Sequence, residues 1–308
     1  MLDLGIVVVS YCTCELLRDC LHSVYASRGP LSFQVCVVDN ASSDGSADMV
    51  AAEFPQATLI ANEENVGYPA ANNQGLRAFG FQQAPSSDRR TEAPRFALLL
   101  NSDTTIPPNA LMTMLEFMEG HDEAGVVGPK LVRPDGSLDL ACRRSFPTPE
   151  VSFYRMTGLS RLFPRSPRFG RYNLTYLDPD ELAEVDSVVG AFMWVRKEAI
   201  EDVGLMDDTF FMYGEDLDWA YRIKNAGWKI YYNPAVTVLH VKKASTRLNP
   251  RAQVEFYRAM ETFYRKHFAE ETPWWAHTLI LGTVRARSKL EELRLALTGR
   301  GEERGAGA

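Results

Sequence analysis

Several familiar signatures are missing from this sequence, and each absence removes a class of function. No stretch of about 18 apolar residues occurs, so no helix is expected to span a membrane. The longest candidate, "PWWAHTLILGTV" at 273–284, is too short. The opening "MLDLGIVVVSY" has no basic stretch and too brief an apolar run for a signal peptide. Cysteine is scarce. Its count of five is odd and includes no pair of CxxC motifs, which points to reduced thiols in the cytosol. The CxC of Cys12 and Cys14 has no second pair or nearby histidine to complete a metal site. Positive charge is also short. Lys and Arg number 33 against 40 Asp and Glu, and the net charge of −7 argues against a nucleic-acid partner. An anionic substrate then needs a local device, a metal ion or helix N-termini, because the overall field opposes it. There is no GxGxxG after the first apolar run, no GxxxxGK(S/T) and no GxSxG. A dinucleotide fold, a P-loop ATPase and a serine-hydrolase elbow are therefore disfavoured. No internal repeat is visible.

What is present is a rhythm of buried strands and amphipathic helices. "GIVVVSY" (5–11) and "FQVCVVDN" (33–40) are near-continuous apolar runs, the pattern of strands covered on both faces. "ATLIAN" (57–62) and "RFALLLNSD" (95–103) read as two more strands. "CELLRDCLHSVYAS", "SADMVAAEF" and "AANNQGLRAFGFQQ" read as the helices between them. This βαβαβαβ order predicts a doubly wound, mostly parallel α/β sheet. Residues 82–95, polar and proline-bearing, read as a surface loop. After Pro107 the rhythm changes. A helix in "NALMTMLEFMEGH" is followed by a strand and a Pro-Asp-Gly turn in "AGVVGPKLVRPDGSLD". An irregular stretch covers 146–180, then comes a strand and helix in "SVVGAFMWVRKEAIEDVG". The helix of "EDLDWAYRIKNAGW" is closed by Gly227, and "KIYYNPAVTVLHV" reads as a strand pair ending at His240. Trp219 and Trp228 are expected to pack rather than to bind.

In open α/β sheets, ligands bind beyond the carboxyl ends of the strands. The four strand ends here carry Ser10 and Tyr11; Asp39 and Asn40, then "ASSDGS"; "NEENVGYPAANNQG"; and Asn101, Ser102 and Asp103. One such residue is usually a turn former or helix cap, but four polar ends in succession favour a site. A rim of carboxylates, amides and glycines suits Mg²⁺ or Mn²⁺ bound together with phosphate oxygens. A second acidic cluster lies in "FFMYGEDLDW" (210–219). Glu215, Asp216 and Asp218 follow Gly214, in the first turn of a helix that favours negative charge. Phe210, Phe211 and Tyr213 before them are expected to form an apolar wall of sugar size.

The segments "VVVSYC", "VVDNASSDGS", "NVGYPAANNQG", "LLLNSDTTI", "VVGAFMWVRKEAI" and "FFMYGEDLDWAYRIKNAGWKIYYNPAVTVLH", taken in order, resemble family 2 glycosyltransferases of the GT-A fold. The nearest subgroup is the bacterial rhamnosyltransferase-like enzymes, and the resemblance covers about residues 4–246. It implies inverting transfer of a sugar, rhamnose by preference, from a nucleoside-diphosphate donor to a hydroxyl of a cell-surface polysaccharide or lipid-linked saccharide. It also implies roles for particular residues. Asp39 matches the acid that contacts the nucleobase, and Ser10 a first-strand position near the nucleotide. Gly67 and Asn72 match the donor-lining loop. Asp103 matches the last acid of the DxD motif, which holds the Mn²⁺ or Mg²⁺ bridging the diphosphate. Asp216 matches the general base, and His240 a position that helps hold metal or diphosphate in some relatives. "NSD" departs from the two-acid motif, because Asn101 can coordinate weakly or hydrogen-bond the nucleotide but adds no charge. Metal binding, by Asp103 with His240, is therefore expected to depend on the donor's diphosphate and on His240, and to be weak without them. Lys242, Lys243 and Arg247 lie beyond His240, where they would meet phosphates or stand as solvated charge. A hexosyltransferase using a UDP- or GDP-sugar, or a catalytically silent nucleotide-sugar-binding protein, are the competing readings.

In "PWWAHTLILGTVRARSKLEELRLAL", paired tryptophans and an apolar run precede Arg285, Arg287 and Lys289. That composition suits a helix lying on an anionic leaflet, one packed on the protein, or a homodimer contact. The expected organisation is a GT-A domain over 1–246, divided into a nucleotide-binding half (1–106) and a smaller acceptor half (107–246). A helical segment over 247–298 follows, with the candidate membrane contact at 273–298, and then a disordered tail over 299–308. The expected location is cytoplasmic, peripheral on the inner face of the membrane where that contact forms.

Overall fold

The computed structural model describes residues 2–82, 93–242 and 251–297. Most of the loop expected over 82–95 lies outside the described residues, as do Lys243, Arg247 and the tail from 299. The first half runs β1 (Leu4–Ser10), α1 (Cys14–Tyr25), β2 (Phe33–Asp39), α2 (Ser46–Glu53), β3 (Thr58–Ala61), α3 (Tyr68–Ala78) and β4 (Phe96–Asn101). The second half runs β5 (Thr104–Thr105), α4 (Ala110–Gly120), β6 (Ala124–Val132), α5 (Pro149–Met156), α6 (Leu159–Leu162), β7 (Ala183–Val185), β8 (Phe192–Arg196), α7 (Lys197–Val203), α8 (Glu215–Asn225) and β9 (Lys229–His240). Two helices complete the chain, α9 (Ala252–His267) and α10 (Trp274–Leu297).

One sheet passes through both halves, in the order β3-β2-β1-β4-β8-β6-β9-β5, with β7 beside β9. The four strands of the first half pair in parallel, as their apolar runs require. At β8 the direction reverses, since β8 is antiparallel to both β4 and β6. β1 is buried at every position, and Leu98, Leu99 and Leu100 of β4 are fully buried. Burial of each leucine side chain contributes roughly 1.5–3 kcal/mol and fixes the end of β4 where the polar residues begin. In α1, the buried residues Leu17, Cys20, Leu21 and Val24 follow helical spacing, so one stripe faces the sheet. The larger core cluster spans both halves, and a smaller one lies between α8 and α9.

Two local expectations change. The strand pair expected before His240 is one long strand, β9. Its register against β6 jumps from Pro129↔Asn233 to Lys130↔Thr237. The bulge falls at Pro234, which has no N–H for the ladder. The stretch over 146–180 contains two short helices. The first, α5, starts with Pro149 after Thr148, whose side chain accepts from Val151 N, so both start signals were in the sequence. Trp219 is fully buried with its indole N–H on Gly204 O (2.9 Å), and Trp228 donates to Asp202 (2.8 Å).

Candidate active site

The carboxyl ends of β1, β2 and β4 converge. Ser10 Oγ, at the end of β1, lies 3.1 Å from Thr13 Oγ1, which lies 2.8 Å from Ser102 Oγ beyond β4. Three hydroxyls thus tie two strand ends together. Asp39 ends β2. Its Oδ2 accepts from Ser42 N (2.9 Å), while Oδ1 is buried with no hydrogen-bond partner among the described residues. A buried acceptor left over costs about 1–3 kcal/mol, a cost that a ligand N–H or O–H removes. Asn40 organises the neighbouring loop. Its Nδ2 donates to Asn65 Oδ1 (2.8 Å), and its Oδ1 accepts from Asn62 Nδ2 and Val66 N (3.1 Å each). Gly67 has φ +89°, and a Cβ there would stand 2.7 Å from Phe211 O. Close passage of the chain entering the second acidic cluster therefore explains this glycine. Asn72 Nδ2 donates back to Tyr68 O (2.9 Å), while its Oδ1 is a second buried acceptor without a partner.

Asp103 follows β4 and is nearly buried, with Oδ1 3.3 Å from His240 Nε2 at the end of β9. The other ring nitrogen, Nδ1, lies 3.1 Å from Asp139 Oδ2, and Lys242 Nζ lies 2.5 Å from Asp139 Oδ1. Burial opposes a charge on His240. The hydrogen bonds and charges of the two carboxylates outweigh it and push its pKa up to about 9. Asp139 is held well below the usual carboxylate range, because contacts with His240 and Lys242 outweigh burial. His240 is thus a protonated bridge between two acids. With both ring nitrogens engaged it stands as the charge partner of Asp103. No donor among the described residues reaches Asp103 Oδ2, and no group of three or more His, Cys, Asp or Glu among them is arranged to hold a metal. These residues fit a divalent ion that takes one carboxylate oxygen from Asp103 and its other oxygens from a diphosphate and water.

The three acids of α8 have three different fates. Gly214, at φ +81°, turns the chain into the helix. Asp216 is buried. Its Oδ2 accepts from Arg144 Nη2 (2.7 Å) and Gly190 N (3.1 Å), and its Oδ1, among the described residues, only from the backbone N of Leu217 (2.8 Å). Burial works against the Arg144 charge, but Asp216 overrides it and raises the guanidinium pKa further. Glu215 Oε2 is buried without a partner among the described residues, and burial, then the Asp216 charge, push its pKa up to about 8. It holds a proton at neutral pH and spares the cluster a third negative charge. Asp218 accepts from His267 (2.7 Å), Lys266 (2.8 Å) and Arg222 (2.9 Å). Burial would raise its pKa, but these contacts, His267 first, lower it to about 2. It anchors α9 to α8. The expected sugar-sized wall is not assembled either. Phe210 packs with Leu217, Ala259 and Phe263, and Tyr213 meets Phe256 edge-on, because α9 covers them. Only Phe211 is exposed.

Tyr68 joins the two acidic regions. Its hydroxyl lies 2.9 Å from Asn101 Oδ1 and 3.0 Å from Gly190 O, and Gly190 N in turn donates to Asp216. An amide at position 101 accepts the phenol proton without adding charge beside Asp103. Burial first, and the neighbouring carboxyl groups as they ionise, push the phenol pKa up and keep it protonated. The structure thus brings Asn101, Asp103 and Asp216 to one rim, linked through Tyr68 and Gly190. Sequence reasoning missed Tyr68, Arg144 and Asp139. The only signals for the last two were an Arg pair in "CRRS" and a second acid after the "PDG" turn.

The family model "Glycosyltransferase like family 2" matches residues 3–256. Among characterised proteins, the chain is 27% identical over 291 residues to N-acetylglucosaminyl-diphospho-decaprenol L-rhamnosyltransferase of Mycobacterium tuberculosis, covering 93% of this chain and 92% of that protein. Among solved structures it superposes on TarS of S. aureus with a TM-score of 0.55 at 16% identity, over 93% of this chain but only 43% of that one. It also superposes on the mannosyltransferase PcManGT of Pyrobaculum calidifontis, in complex with GDP-Man and Mn²⁺, with a TM-score of 0.55 at 16% identity, covering 98% and 76%. With a GT-A architecture, an acidic rim at its strand ends and a family match over most of its length, the chain belongs to the family 2 glycosyltransferases.

Proposed function

We propose that this glycosyltransferase moves rhamnose, with inversion, from a dTDP-linked donor to a hydroxyl of a lipid-linked saccharide on the cytoplasmic side of a membrane. The observation that carries the reading is the fixing of Asp216 by Arg144 and Gly190, on the rim that also holds Asp103. The M. tuberculosis relative, similar over nearly its whole length, supports the choice of sugar and acceptor. Asp39 and Asn72 offer their unpartnered buried oxygens to the donor's N–H and O–H groups. Asp103 would hold a Mn²⁺ or Mg²⁺ ion, which when bound offsets charge building on the departing diphosphate. The acceptor oxygen attacks the anomeric carbon from the face opposite the diphosphate as the bond to the diphosphate oxygen breaks. Asp216 Oδ1, burdened with one backbone contact only, takes the hydroxyl proton. Arg144 and Gly190 meanwhile hold the carboxylate plane in place.

The test is to incubate the protein with dTDP-, UDP- and GDP-sugars, with and without Mn²⁺, and a polyprenyl-diphosphate N-acetylglucosamine acceptor, reading product mass. Mn²⁺-dependent addition of one rhamnose, with inverted anomeric configuration by NMR, is expected. Transfer only from a UDP- or GDP-sugar would replace the donor. No transfer and no nucleotide-sugar binding would overturn the reading.

A further inference from the structure

We propose that α10 is a docking surface for an anionic membrane, which deepens the reading of a lipid-linked acceptor. One face of this 24-residue helix is already used. Leu281 and Val284 are buried, His277 Nδ1 lies 3.1 Å from Tyr264 OH, and Arg285 pairs with Glu261 at 2.8 Å, so α10 is fastened along α9. The opposite face is apolar and bare. Trp275, Leu279, Leu290, Leu293 and Leu297 are 61%, 66%, 65%, 62% and 87% exposed. By helical spacing they share one face, as a pair (275 and 279) and a trio (290, 293 and 297), with Gly282 and Ala286 on that face between the two groups, and the stripe is roughly 33 Å long at the helical rise per residue. Trp274, 79% exposed, flanks its start. No helix among the described residues is long and apolar enough to cross a membrane, so such a helix would lie along the interface.

Charge selects the occupant. α10 carries four basic side chains against two acidic ones, in a chain whose net charge is −7. Both acids are engaged, Glu291 by Arg294 (3.9 Å) and Glu292 by Arg258 (3.3 Å). Exposed Arg287 and Lys289 flank the stripe on opposite sides by helical spacing, and neither forms an ion pair among the described residues. Long cationic side chains beside an apolar stripe suit anionic headgroups above acyl chains. A second copy of the chain fits less well. Arg287 and Lys289 lie near the helix midpoint, so either a parallel or an antiparallel pair would bring like charges together. The placement also serves the site. α10 is fixed to α9, and α9 holds α8 through Asp218, two residues from Asp216.

Flotation of the full chain on vesicles of equal parts phosphatidylglycerol and phosphatidylcholine tests this directly. We expect binding to these vesicles and none to pure phosphatidylcholine. The exposed-residue variant Leu279→Gln/Leu290→Gln/Leu293→Gln should lower vesicle partitioning about tenfold, and Arg287→Glu/Lys289→Glu several-fold. Both variants should retain Mn²⁺-dependent donor binding by calorimetry, which shows that they are folded. No flotation of the wild type, or flotation unchanged in the triple variant, overturns the proposal. So does a wild-type dimer, seen by sedimentation without vesicle binding, that the triple variant loses; that result would assign the stripe to a second copy. Failure of donor binding in every form would strike the transferase reading while leaving the flotation result intact.

Discussion

The two acidic regions of the rim, around Asp103 and around Asp216, are built on one plan with different consequences. Each places a nearly buried carboxylate at the start or end of an element, and each balances it with a cation from far along the chain. Asp103 meets His240, itself steadied by Asp139 and Lys242. Asp216 meets Arg144 across 72 positions. In the first region the cation is shared between two acids and one oxygen of Asp103 stays without a donor, which suits ion and diphosphate binding. In the second, two donors, Arg144 and Gly190 N, fix one oxygen, and among the described residues the other has a single backbone contact, which suits a proton acceptor. In the proposed mechanism, similar acids divide binding from chemistry by their partners.

The comparison can be broken at several points. The largest effect is expected from Asp216→Asn, which should lower turnover by about 10³ or more in a transfer assay, near the upper range for loss of a general base. Arg144→Met should come next. Removing one partner of a buried ion pair leaves the other uncompensated, so chemical denaturation should show a loss of about 3–5 kcal/mol. Asp139→Asn removes the common anchor of His240 and Lys242. A loss of roughly 2 kcal/mol, discounted because Lys242 is partly exposed, should appear in urea unfolding together with weaker Mn²⁺-dependent donor binding.

A further effect concerns pH. Glu215 has a pKa of about 8 in the folded protein, above its ordinary 4.5. The folded state therefore favours the protonated form. Stability from this group is whole below about 4.5, falls as pH rises, and is lost above about 8. Glu215→Gln should remove that slope, so melting temperatures of variant and wild type should diverge between pH 5 and 8, the wild type falling further.

The parts of this design that are local could be read from the sequence. Four apolar runs marked the parallel strands, and small polar residues at their ends marked the rim. Asp39, Asp103 and Asp216 were visible because each directly follows or ends such a run, or opens a helix. Their partners carry no local pattern. Arg144 lies in an irregular arginine-rich segment, where Arg143 beside it serves a different purpose, holding Leu177 O and Asp178 O. Asp139 follows a turn and Tyr68 opens a helix, so both look like ordinary residues until the sheet brings them to the rim. Phe210 and Tyr213 misled for the opposite reason. Aromatics beside acids serve a sugar or a covering helix equally well, and α9, more than 35 residues further on, takes them.

The division between binding and chemistry is tested most directly by calorimetric titration of dTDP-rhamnose, with and without Mn²⁺, into Asp216→Asn and Asp103→Ala side by side. Asp216→Asn should bind within about twofold of wild type, and Asp103→Ala should lose the Mn²⁺-dependent gain in affinity. Unchanged Mn²⁺-dependent binding in Asp103→Ala, or loss of donor binding in Asp216→Asn, would contradict it.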